Sequence, residues 1–202
     1  MTGAGQKKNR MGCTWLAIGT VAVAVLTHVL LSVLPNRDDA AVDDIQKAGG
    51  EVRRTPRLLW LSTMADADFY PYGDVWDVEL TGAEIDEGLA AQISGLHSLY
   101  DLRLYRCLVP IEMTGIIIPT SDHLQGIHIS DTAAGDRHIE SISTCRNLIF
   151  LTLDGTAVTD ASVPVIVRCR NLGCLVLRRN KMTPEGIAAI RTALPATNVI
   201  AE

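Results

Sequence analysis

Histidine and cysteine are the side chains best suited to hold a metal ion or act as a nucleophile, and this sequence has five of each. Their spacing supports neither role. His97, His123, His128 and His138 share no helical or strand spacing that would bring them onto one ion. No two cysteines form a C-x-x-C pair, the usual half of a zinc site. The sharp strand–turn–helix motif that presents a hydrolytic serine is missing. Gly3-Ala4-Gly5 lies in a tail with no strand before it, so it is not a phosphate-cradling loop. The expectation is therefore no catalytic residue, no metal and no cofactor. Cys145 and Cys169 stand at equivalent positions of a periodic pattern, aligned with Leu96, and read as buried structural thiols. In an oxidising compartment, stacked neighbours about 5 Å apart could also be bridged.

What remains is the chemistry of recognition. Arg103, Tyr105, His128, Phe150, Asp154 and Arg178 combine aromatic, cationic and anionic side chains, and Tyr and Arg are common anchors at binding surfaces. They fall in columns. Asp77, Asp101, Gly126, Phe150 and Cys174 form the first. Glu79, Arg103, His128, Thr152 and Val176 form the second, and Thr81, Tyr105, Ser130, Asp154 and Arg178 the third. Within them Glu79–Arg103 and Asp154–Arg178 are lateral neighbours of opposite sign, each pair worth about 0–1 kcal/mol if solvated.

The elements that position these columns repeat five times. The strand cores are Val78-Glu79-Leu80, Leu102-Arg103-Leu104, Ile127-His128-Ile129, Leu151-Thr152-Leu153 and Leu175-Val176-Leu177, in steps of 24, 25, 24 and 24 residues. Ile93, Ile117, Ile142, Ile166 and Ile190 keep the same steps. So do Ala83, Cys107, Thr132, Thr156 and Asn180. Alternate strand residues point to opposite faces, so the flanking aliphatics go inward and the middle residue faces solvent. Periods of about 20–29 residues, each a short strand and a return, mark a solenoid. Parallel strands stack about 4.8 Å apart while the returns need more room, which predicts curvature with the strands on the concave side. Thr159 and Thr183 suit the start of a return helix, as does Asp86, and Pro184 suits a first helical position. Pro110 and Gly135 stand there in the second and third repeats, whose returns should be wound differently.

The run Leu151-Thr152-Leu153-Asp154-Gly155-Thr156-Ala157-Val158-Thr159-Asp160 resembles bacterial leucine-rich repeat proteins with units Leu-x-x-Leu-x-Leu-x-x-Thr-x-Val-Thr-Asp. Cys145-Arg146-Asn147-Leu148 and Cys169-Arg170-Asn171-Leu172 resemble the cysteine-containing class of the same repeat. The resemblance covers residues 74–202. It implies an α/β fold, a short right-handed leucine-rich repeat solenoid of about five repeats, used for protein recognition and carrying no catalytic residue. The ligand it implies is a protein or peptide bound on the concave face.

The amino-terminal part is of another kind. Residues 13–34 contain no Asp, Glu, Lys or Arg. As a helix they would span roughly 33 Å, enough for a bilayer core. Lys7, Lys8 and Arg10 precede the run, which predicts a single-pass anchor with the amino terminus inside and the body outside the cytoplasm. A cleaved signal peptide is the rival, but its apolar region is shorter and ends in a small-x-small site, unlike Ser32-Val33-Leu34-Pro35. Residues 1–12 read as a cytoplasmic tail and 35–73 as a linker and amino-terminal cap, with a short helix near 41–48 stopped by Gly49-Gly50. All 23 acidic residues lie beyond residue 35, against 15 of the 18 basic ones. An acidic body argues against nucleic acid as a partner. The sequence thus points to a membrane-tethered, non-enzymatic recognition or scaffolding module. A cytoplasm-facing adaptor and a regulatory subunit of an envelope enzyme are the alternatives.

Overall fold

A computed structural model describes residues 38–56, 72–109 and 123–201. Seven strands form one sheet in chain order: β1 (Glu51–Pro56), β2 (Tyr72–Thr81), β3 (Asp101–Tyr105), β4 (Gly126–Ser130), β5 (Phe150–Asp154), β6 (Cys174–Arg178) and β7 (Asn198–Ala201). From β2 to β7 every neighbour is parallel and in register, so that Leu80, Leu104, Ile129, Leu153 and Leu177 stand side by side. The expected five strands are the middle of this sheet, and β1 and β7 extend it at either edge. In β7, Val199 and Ala201 continue the columns of Leu175 and Leu177. The short Ala201 in place of a leucine hid this strand from the Leu-x-Leu pattern.

The alternation within each strand has the physical outcome it should. The flanking aliphatics, from Val78 and Leu80 through Leu175 and Leu177, are buried, while the middle residues remain partly open to solvent. Ile93, Ile142, Ile166 and Ile190 pack from the return side and are fully buried. Ile117 lies outside the described residues. Each rung hides apolar surface worth about 25 cal/mol per Å² only because its neighbours cover it.

The returns differ as their first residues do. α2 (Glu87–Ser94) is capped by Asp86, whose carboxylate accepts from the Leu89 amide at 2.8 Å. α4 (Pro184–Ala193) is capped by Thr183, which accepts from the Gly186 amide at 3.2 Å, with Pro184 at the first position. Thr159 accepts from the Ala161 amide and begins a 3-10 turn, Asp160–Ser162, that runs into α3 (Val163–Ile166). The third repeat, with Gly135 where the threonine would be, returns through the 3-10 helix Glu140–Thr144 instead. The second return falls outside the described residues.

Two inter-rung devices have no counterpart in the Leu-x-Leu pattern. The residue leaving each of β2 to β6 is left-handed: Gly82, Arg106, Asp131, Gly155 and Arg179, with φ of 68°, 53°, 52°, 62° and 48°. The first four each donate their amide to the strand end of the next rung: to the Tyr105, Ser130, Asp154 and Arg178 carbonyls, at 2.8–2.9 Å. The Asp of the Thr-Asp pair ties one return to the next. Asp160 accepts from the amide and hydroxyl of Thr183, at 2.8 and 2.6 Å. Asp136, one repeat earlier, accepts from the Thr159 amide and hydroxyl and from the Ser162 hydroxyl.

Helix α1 (Asp39–Lys47) buries Ala41, Val42 and Ile45, and ends at left-handed Gly49. A side chain at Gly50 would come within 2.6 Å of both Ile45 and Leu80, so the helix seats directly on the β2 rung. The Asp38 carboxylate accepts from the Val75 amide at 3.1 Å rather than capping its own helix. Cys107, Cys145 and Cys169 are buried, Cys174 is partly open, and none of the four is bridged. Among the described residues no helix is long and apolar enough to cross a membrane. The run 13–34, on which the anchor expectation rests, lies outside the described residues.

Candidate recognition face

The solvent-facing columns are aligned across the sheet as their spacing requires. Glu79, Arg103, His128, Thr152 and Val176 form one row, flanked by Asp77–Asp101–Gly126–Phe150–Cys174 and by Thr81–Tyr105–Ser130–Asp154–Arg178. All six candidate residues therefore share this face. They do not form one cluster.

Around β2–β4 the face is a charge network. Asp77 and Asp101 are direct neighbours of like sign, an arrangement that is destabilising without a counter-charge. Arg103 supplies it. Its guanidinium reaches both Asp77 oxygens at 3.0 and 3.1 Å and Asp101 Oδ2 at 2.5 Å. Arg53 on β1 adds a further contact to Asp77 Oδ2 at 3.1 Å. Only 2% of the Asp77 side chain is exposed, so this carboxylate depends on its two arginines. The expected Glu79–Arg103 pair is a loose 3.8 Å contact. The fork bends diagonally to the carboxylates two residues upstream, which offer shorter and better-directed hydrogen bonds. Burial works against the Arg103 charge, but Asp101 and Asp77 outweigh it and hold its pKa above the ordinary value. Burial, and then Glu79 on the neighbouring rung, push the Tyr105 phenol upward.

His128 closes the network on the other side. Its Nδ1 is 3.0 Å from Thr152 Oγ1 and its Nε2 3.5 Å from Asp101 Oδ1. Burial, reinforced by the nearby Arg103, lowers its pKa below the ordinary imidazole value despite Asp101 and Asp77.

Around β5–β7 the face changes character. Phe150 is 48% exposed, flanked in register by Gly126, with no side chain, and by partly open Cys174. Val176 and Ile200 are half-buried neighbours in the next row. Arg178 stands in register beside Asp154, as expected. The Asp154 carboxylate also accepts from Arg179, whose Nε reaches Asp154 Oδ1 at 2.8 Å while Nη1 reaches Asp131 Oδ1 at 2.8 Å. The left-handed turn at Arg179 swings its side chain back over the two preceding rungs. Arg103 and His128 are thus brought together, Phe150 stands apart as an apolar platform, and Asp154 belongs to a third group at the strand ends.

Asp77, Asp101 and Arg53 are the members the candidate set omitted. The two aspartates sat in the aligned columns, but lateral pairing was weighed and the two-residue diagonal was not. Among the described residues no group of three or more His, Cys, Asp or Glu side chains could hold a metal ion. What the face offers is fixed charge, hydrogen-bonding capacity and one exposed ring.

No protein-family model and no curated protein sequence matches this chain. Solved structures do. The leucine-rich repeat ectodomain of the receptor kinase SOBIR1 from Arabidopsis thaliana is similar with a TM-score of 0.52 and 16% identity, over 83% of this chain and 92% of that one. A leucine-rich repeat protein of Leptospira interrogans matches at 21% identity and a TM-score of 0.43 over 54% of this chain, which spans 26% of that protein. At 16% identity the likeness to the SOBIR1 ectodomain speaks for the fold, a leucine-rich repeat arrangement, and for nothing finer.

Proposed function

We propose that this chain is a non-enzymatic recognition or scaffolding module that takes a protein or peptide on the open face of its sheet. Leucine-rich repeat folds suggest protein interaction, and the arrangement of this face supports that reading. The observation that carries it is one open face that presents two complementary parts: an apolar platform, Phe150, 48% exposed on β5, and a guanidinium and an imidazole on β3 and β4 whose nitrogens are held by neighbouring side chains. An exposed aromatic ring offers a large contact area with only two rotatable bonds to immobilise, and pre-placed polar groups orient what docks beside it. In this reading Arg103, Tyr105, His128 and Phe150 form the contact surface, with Asp154 and Arg178 at its margin. Residues 13–34 tether the module to a membrane and the repeats face away from the cytoplasm. The apolar run and the basic residues before it support that topology.

Photo-crosslinking residues placed one at a time at positions 105, 128 and 150 of the full chain in its native cells test the site. Position 188, on the exposed side of α4, serves as the control. Capture of the same protein from the three face positions and not from 188 is the expected result. Capture from 188 alone refutes the site. A reporter fused after Glu202 tests the topology, and activity confined to a cytoplasm-dependent reporter reverses it.

A further inference from the structure

Three carboxylates (Asp77, Glu79 and Asp101) and two guanidiniums (Arg53 and Arg103) meet on the outward side of β1–β4. One negative charge is left over. The structure also shows where it is least satisfied. Asp101 Oδ2 accepts from Arg103, while Asp101 Oδ1 is buried and has no hydrogen-bond partner. A buried carboxylate oxygen without a donor costs free energy, so the site favours any change that brings one.

The donor stands opposite. His128 Nε2 is 3.5 Å from Asp101 Oδ1, just beyond hydrogen-bond distance. Its other nitrogen, Nδ1, is 3.0 Å from Thr152 Oγ1. A hydroxyl donates or accepts according to its rotation, so Thr152 serves the imidazole in either state. It can donate to a bare Nδ1, which leaves the single proton on Nε2 facing Asp101. It can accept from Nδ1 when both nitrogens carry protons. The neighbours of His128 are accounted for on each side. β3 presents Asp101, Arg103 and Tyr105, and β2 presents Asp77 and Glu79 beyond them. β5 presents Phe150, Thr152 and Asp154, the last already held by Arg179.

We propose that Asp101 and His128 form a proton-operated clasp between β3 and β4. Uptake of one proton by the imidazole converts the 3.5 Å contact into a charge-assisted hydrogen bond and cancels the excess negative charge at the centre of the open face. No bond other than the N–H is made, and the proton comes from solvent through the partly open side of the ring. At neutral pH the imidazole is uncharged, because burial holds its pKa below the ordinary value. The clasp therefore closes in acid. Since the folded-state pKa lies below the unfolded one, the unfolded chain takes up its proton first as pH falls. Stability contributed by the neutral ring is complete above about pH 6.5 and is lost as pH falls towards the folded pKa. The clasp thus acts on the charge and geometry of the face and does not brace the fold.

Imidazole resonances of the full chain, labelled at histidine and followed by NMR across pH 4–8 and assigned with His128→Gln, test this directly. His128 is expected to titrate below the ordinary imidazole value, and Asp101→Asn to move its midpoint to still lower pH, because the attracting carboxylate is gone. An unchanged or raised midpoint in Asp101→Asn overturns the proposal. Should that variant not fold, the unmodified chain labelled at aspartate carboxyl carbons decides the matter. The Asp101 resonance must show an inflection at the His128 midpoint, and its absence overturns the proposal equally.

Discussion

Among the described returns, removing the Asp136 carboxylate should be the most costly single side-chain truncation at the surface. The side chain accepts from the Thr159 amide at 2.8 Å, from the Thr159 hydroxyl at 2.7 Å and from the hydroxyl of fully buried Ser162. Hydrogen bonds to a charged acceptor contribute about 1.5–3 kcal/mol each when dry. Here the carboxylate is partly open, and water would replace some of what is lost, so about 1 kcal/mol for each of the three donors is the better figure. Asp136→Ala should therefore destabilise the fold by roughly 3 kcal/mol, which lowers Tm by about 6–12 °C for a chain of this size. The equivalent Asp160 serves two donors, Thr183 N and Oγ1, both in more exposed surroundings. Asp160→Ala should cost about 1–2 kcal/mol. The pH dependence gives an internal check. Burial alone would raise the Asp136 pKa, but Ser162 and Thr159 together bring it below the ordinary carboxylate value. Its contribution is thus fully present above about pH 4 and fades as acid protonates the folded carboxylate. Thermal unfolding of the full chain and both variants, followed by circular dichroism in one mild detergent, measures all of this. A loss under about 0.5 kcal/mol for Asp136→Ala, the range of an ordinary surface change, would refute the reasoning. So would a larger loss for Asp160→Ala, or a gap between wild type and Asp136→Ala that does not narrow as the pH is lowered below about 4.

Three further outcomes are expected. Gly155→Ala should be more destabilising than Gly82→Ala by urea midpoint: both positions are left-handed, but the new Cβ would meet Asp131 Oδ1 at 2.5 Å and Asp131 backbone at 3.3 Å in the first case and nothing within 4 Å in the second. The conformational part alone is about 1–2 kcal/mol, and equal losses would contradict the packing argument. Iodoacetamide at pH 8, read by site-resolved mass spectrometry, should modify Cys174 well before Cys145 and Cys169. Burial pushes the last two up to about 11 and about 12, and the thiolate is the reactive form. Phe150→Ala should leave stability within about 0.5 kcal/mol, because the ring is half exposed, while weakening partner capture about tenfold or more. Unaltered capture would move the site elsewhere.

The repeat period made the strands, their register and the buried isoleucine row legible, because one spacing imposes one geometry at every rung. The threonine and aspartate caps were equally plain, since each is a single residue acting on amides two or three positions away. The charge pairing was not. Arg103 could reach Glu79 laterally, Asp77 diagonally or Asp101 on its own strand, and spacing alone does not rank three reachable carboxylates. The Arg179 contact to Asp154 turned on a positive φ that a sequence carrying arginine, not glycine, there gives no reason to expect. Asp136 escaped notice because Gly135 breaks the threonine motif beside it. Strand β7 escaped because Ala201 breaks the leucine one.

Every reading of this face assumes that the middle residue of each strand looks outward and its neighbours inward, rung after rung. Single cysteines at 128, 152 and 176, and at 127, 151 and 175, labelled in the folded full chain with a polar maleimide and read by site-resolved mass spectrometry, measure that directly. Fast labelling at the first three and strong protection at the second three is the predicted result. Comparable labelling of the two sets, or protection that fails to alternate, would contradict the stack itself.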